Sequence, residues 1–81
     1  MTSFKILRND KGHTTEHIAK GLGIKINTYR KYECYVRLPN ASILAKMPSI
    51  YKCTAGEVIQ AYNNAREVQI ERYGKTNPWD N

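Results

Sequence analysis

The chain has 81 residues, thirteen Lys/Arg against seven Asp/Glu and a formal charge of +6, with a pI near 9.5. That length allows one domain around one small core. No apolar run approaches the roughly 18 residues a membrane span needs, and no leader is visible, since the short apolar stretch at 4–7 is interrupted by Lys5.

The charge is uneven. Residues 1–37 hold eight Lys/Arg against three acids, and residues 38–81 hold five against four. A basic half points to a polyanion, most often nucleic acid, with a solvated surface as the bland alternative. Cys34 and Cys53 show no CxxC spacing and read as reduced thiols of a cytoplasmic protein.

A first helix is expected over residues 1–12. Ser3 can cap it, Phe4 and Leu7 with Ile6 beside them form its apolar face, and Gly12 ends it. Arg8 lies at the edge of that face, either as a surface charge or paired with a distant carboxylate, for which Glu33 is the candidate. Residues 14–33, TTEHIAKGLGIKINTYRKYE, read as two short helices about a tight turn, a helix-turn-helix pattern. Thr14 caps the second helix, Ile18, Ala19 and Leu22 face the core, and the stop falls near Gly21 or Gly23. His13 and His17 lack a third ligand in range, so no metal is expected there.

The third helix spans 25–33. Ile24, Thr28, Tyr29 and Tyr32 form its buried stripe and leave Lys25, Ile26, Asn27, Arg30 and Lys31 pointing outward. Asn can pair with adenine and Lys can donate to guanine, whereas Ile26 suits a thymine methyl or a protein contact. Residues 34–40 form a loop in which Arg37 suits a phosphate.

Pro39 and Asn40 open the fourth helix, with Ile43, Leu44, Met47 and Ile50 or Tyr51 at core spacing. Pro48 falls inside it and predicts a kink or break. Thr54 and Glu57 form a capping box for a long fifth helix over 55–73, ended by Gly74. The polar tail 75–81 carries Trp79 and is expected to be disordered or docked through that ring. The domain is therefore drawn as 1–74, with its core in 4–59.

Over residues 4–59, without a gap, the chain resembles the Cro/CI-type, lambda-repressor-like (XRE) helix-turn-helix domains. The matching positions are Arg8, Thr14-Thr15-Glu16, Ala19, Leu22-Gly23, Tyr32-Glu33, Pro39 and Gly56-Glu57-Val58. The resemblance implies an all-α, five-helix bundle, a partly buried Arg8–Glu33 ion pair, and binding of double-stranded DNA with the third helix in the major groove, usually by a homodimer on a two-fold operator. By position, Thr15, Lys25, Ile26, Asn27 and Lys31 would read bases, with Arg37 and the Thr14 end of the second helix on phosphates. Arg30 joins them from its outward position. Five residues depart from the pattern: Thr15 stands where Gln is usual, Ile26 where a polar reader is common, Tyr35 and Lys52 where Gly is usual, and Pro48 where the helix normally continues.

Beyond residue 59 the fifth helix carries two stripes, Ala61/Ala65/Val68/Arg72 and Ile59/Tyr62/Ile70/Tyr73. Three turns more than the core needs suggest self-association through Tyr62, Ala65, Val68, Ile70 and Tyr73, or a helix folded back over the first. No constellation for catalysis, cofactor or small-molecule substrate is visible. Two functions follow as expectations. One is a small phage- or mobile-element-type DNA-binding transcriptional regulator, repressor-like. The other is an anti-repressor-type module that binds another helix-turn-helix protein and masks its DNA-binding face.

Overall fold

The computed structural model describes residues 2–74. It is an all-α bundle of five helices: α1 (Phe4–Asp10), α2 (Thr15–Leu22), α3 (Ile26–Glu33), α4 (Ala41–Tyr51) and α5 (Ala55–Tyr73). The expectations for 75–81 and Trp79 lie outside the described residues. No helix of the described residues is long and apolar enough to cross a membrane.

Four helices begin on side chains that take over a backbone donor the first turn leaves unpaired. The oxygens of Ser3, Thr14, Asn40 and Thr54 accept the N–H of Ile6, His17, Ile43 and Glu57 at 2.9–3.1 Å. Glu57 reaches back to the Thr54 N–H at 3.1 Å and completes the capping box. Only α3, opened by Lys25, has no side-chain cap.

Four helix ends share one closing pattern; after α1 it is made by Gly12 at φ 72°, with Gly12 N–H on Asn9 O at 3.0 Å and His13 N–H on Arg8 O at 3.1 Å. After α2, Gly23 sits at φ 73°; its N–H reaches Lys20 O, and Ile24 N–H reaches Ala19 O at 3.0 Å. That is a Schellman turn, for which glycine is the unstrained residue. Gly21 has a different reason to lack a side chain, because a Cβ there would lie 2.9 Å from Ile50 Cγ2 on α4. After α3 the same turn is made by Tyr35 at φ 66°, and after α4 by Lys52 at φ 62°, with Val36 N–H on Lys31 O and Cys53 N–H on Pro48 O, both at 3.0 Å. The bulky residues at the two glycine positions have thus accepted the left-handed conformation, at a cost of about 1–2 kcal/mol each.

The core is one cluster. Phe4, Ile18, Leu22, Tyr29, Met47, Tyr51, Val58, Ala61 and Ala65 are all essentially buried. Helix α2 packs on α3 and α4, and α1 on α3 and α5, while α4 and α5 also pack together. Phe4 stacks on Tyr51, and Tyr32 meets Tyr29 edge to face.

Three expectations are corrected. Ile6 is exposed and lies outside the Phe4–Leu7 face. Pro48 does not break α4, which continues to Tyr51. Proline removes the donor to the Leu44 carbonyl, but Met47 and Tyr51 on either side are fully buried and hold the last turn in place. Ala65 is completely buried within the chain and presents no surface to a second copy; α5 does fold back on α1.

Candidate nucleic-acid interface

Helix α3 is held from behind by its buried side. Tyr29 and Tyr32 are buried and Thr28 is partly so. Tyr29 Oη lies 2.8 Å from Tyr51 Oη on α4. Burial, reinforced by the partner phenol, pushes the Tyr29 pKa up, and burial does the same to Tyr51 against a smaller lowering by that hydrogen bond. At the end of α3, Glu33 accepts two hydrogen bonds from Arg8, Nε to Oε2 at 2.6 Å and Nη2 to Oε1 at 3.1 Å. Arg8 Nη1 donates to the His13 carbonyl at 3.1 Å. The fork therefore ties α1, the start of α2 and the end of α3 together. The hydrogen bond to Glu33 outweighs burial and holds the guanidinium pKa above its ordinary value.

With the back fixed, the front is polar and basic. Asn27, Arg30 and Lys31 share one exposed side of α3, at spacings of three and four residues. Lys25 is exposed at its start, and Arg37 is exposed in the following loop. The Arg8–Glu33 bridge is the only salt bridge among the described residues, so Lys25, Arg30, Lys31 and Arg37 have no carboxylate partner there. On α2, Thr14 is exposed with its hydroxyl engaged as the cap, and Thr15 is partly exposed.

Ile26 differs from the expectation that it points outward. It is half-buried and packs against the core, because an apolar side chain in the first turn of α3 gains more from the core edge than from water. The His13 and His17 rings stack at 4.9 Å, 4° from parallel. No group of three or more potential metal ligands occurs among the described residues.

One arrangement was not foreseen. The loop between α3 and α4, which carries Arg37, is gripped by the last turns of α5. Gln69 is buried, and its Nε2 donates to the Val36 carbonyl at 3.3 Å. The Arg72 guanidinium lies over the Tyr35 ring, 5.3 Å from its centre. Leu38 and Pro39 in the same loop are buried. Glutamine and arginine in a helix usually signal a wet surface, so the one available clue was Tyr35 in a glycine place, a ring in need of a neighbour.

No protein-family model matches the chain, and no curated protein or solved structure shows significant similarity to it.

Proposed function

We propose that this chain is a small, non-catalytic DNA-binding transcriptional regulator of the Cro/CI type, acting in the cytoplasm, with α3 lying in the major groove. The observation that carries this reading is the two-sided character of α3. Its inner side is locked by Tyr29, Tyr32 and Glu33, and its outer side offers Asn27, Arg30 and Lys31 with no carboxylate partner among the described residues. A rigid helix with free amide and cationic groups has the donors and acceptors that read base edges. Lys25 and Arg37, at the two ends of this surface, suit phosphates, which position a protein without specifying sequence.

A selection from random duplex DNA at two salt concentrations tests the reading. A recovered two-fold motif, with half-sites about one helical turn apart, is the expected result. Affinity should fall with salt at a log–log slope of about −0.9 per phosphate contacted. Weak, sequence-blind binding that vanishes at moderate salt would overturn it, and the surface would then be tested against a helix-turn-helix protein.

A further inference from the structure

An arginine in the last turn of a helix has an ordinary explanation, since a cation there complements the helix dipole. Arg72 of α5 fits that description, but its surroundings go further. Gln69 donates to the Val36 carbonyl at 3.3 Å. Three residues on, the Arg72 guanidinium lies 5.3 Å from the centre of the Tyr35 ring. The loop that carries Tyr35 and Val36 is in turn folded onto the end of α3, where the Val36 and Arg37 amides both donate to the Lys31 carbonyl, at 3.0 and 3.3 Å. The Arg37 charge is felt there too, opposing the rise that burial imposes on the Tyr32 pKa. Lys31, Arg37 and Arg72 are all exposed. Cations from α3, from the loop and from α5 therefore flank one short segment of chain. Arg72 is also left without an anion. The nearest acids on its own helix, Glu67 and Glu71, stand five residues and one residue before it, and neither spacing brings side chains together on a helix surface. The Arg8–Glu33 bridge is the only one among the described residues, so no other described element supplies a carboxylate. The attraction to the Tyr35 ring is made through the ring face and leaves the guanidinium N–H donors unspent.

We propose that Arg72 is a further phosphate contact of this protein, gripping the DNA backbone together with Arg37 beside the groove that α3 enters, and that Tyr35 positions it. The inference rests on the DNA-binding reading of α3 and extends that surface onto α5. A planar guanidinium fork matches a phosphate, and a contact of this kind adds affinity without adding sequence preference. The assignment gives the bulky residue after α3 a purpose. Tyr35 takes the left-handed conformation at φ 66°, where glycine would be unstrained but would offer Arg72 no ring. It also gives a purpose to the end of α5, whose Gln69 and Arg72 both turn toward the loop rather than toward open solvent.

The test follows binding of the full chain to a labelled, mixed-sequence duplex about three helical turns long by fluorescence anisotropy over a range of salt, a probe whose phosphates can be bound without any motif. Arg72→Gln should weaken binding several-fold and reduce the log–log salt slope by about 0.9, the share of one phosphate. Arg72→Lys keeps the charge and should restore most of that slope. Tyr35→Leu removes the ring and leaves Arg72 in place. It should weaken binding in the wild-type background and add little in the Arg72→Gln background, because the two residues act through one contact. Circular-dichroism melts of the Arg72 variants should match the wild type, as they do for exposed positions. A purely structural arginine would instead shift the melt and leave the salt slope alone. An Arg72→Gln slope equal to that of the wild type overturns the inference and leaves α3 as the DNA surface. So does a Tyr35→Leu loss of the same size in both backgrounds. A wild-type chain with no affinity for the duplex even at low salt overturns the DNA-binding reading itself, and this inference with it.

Discussion

Arg8 and Glu33 carry the clearest energetic asymmetry at the level of single residues. Their side chains are 14% and 10% exposed, and they engage through two hydrogen bonds. Removing either partner leaves a mostly buried charge without its counterion, a larger loss than the net value of the pair. Arg8→Ala and Glu33→Ala should each destabilise by about 2–3 kcal/mol in chemical denaturation; wild-type midpoints in both would deny the bridge a structural role. Tyr29 and Tyr51 make the same point with neutral groups. Tyr29→Phe strands the Tyr51 hydroxyl and should cost about 1–3 kcal/mol, whereas the double Phe variant should recover much of that loss. Both phenols have folded pKa values above the ordinary 10. Their contribution is therefore complete below pH 10 and is lost as the pH rises past it, because the unfolded chain ionises first. The double Phe variant should show a shallower alkaline loss of stability by thermal melts. The Arg8–Glu33 pair was legible through its place in a helix-turn-helix pattern. The Tyr29–Tyr51 contact was not, since it depends on how α4 crosses α3 and leaves no mark in local spacing.

Whole elements were legible where their ends are chemically marked. Ser3, Thr14, Asn40 and Thr54 cap their helices, and Gly23 turns the chain as its type demands. Local marks misled where tertiary contacts are stronger than local preference, as at Pro48, where buried neighbours keep α4 whole. Tyr35 and Lys52 are a second instance, and they differ in a way that predicts different outcomes. Both take the left-handed conformation, but Lys52 is exposed, whereas Tyr35 packs against the core and beneath Arg72. Lys52→Gly should therefore stabilise by about 0.5–1 kcal/mol, the relief of strain exceeding the added entropy of the unfolded chain. Tyr35→Gly gives up the ring contacts along with the strain and should be neutral or destabilising. Equal gains in melting temperature from both would mean that the Tyr35 ring contributes nothing where it lies.

Across the whole molecule, the proposed reading surface and the bundle that holds it can be perturbed separately. Asn27 and Lys31 are exposed, so Asn27→Ala with Lys31→Ala should abolish selective DNA binding while shifting the melting temperature by only a few degrees, as surface changes do. Selective binding that survives would move the reader away from α3. Candidate readers could be named from the outward side of a helical repeat, but Ile26, expected outward, packs against the core, because an apolar residue at a helix start turns whichever way the adjacent core edge allows. The α5 grip on the Arg37 loop was also out of reach, joining residues 33 apart through a buried glutamine. On the proposed DNA-binding reading, the end of α5 would act on the α3 surface from a distance. Gln69→Met removes the hydrogen bond to Val36 but keeps the volume, and Val36 is exposed enough for water to take its carbonyl. Global stability should then change by less than about 1 kcal/mol. The loop itself should loosen, with exchange at the Val36 and Arg37 amides, both bonded to Lys31 O, speeding by roughly tenfold. DNA affinity should drop several-fold while the recovered motif stays the same, since a phosphate contact positions without specifying. Unchanged amide exchange would instead assign the loop's order to Leu38 and Pro39 alone.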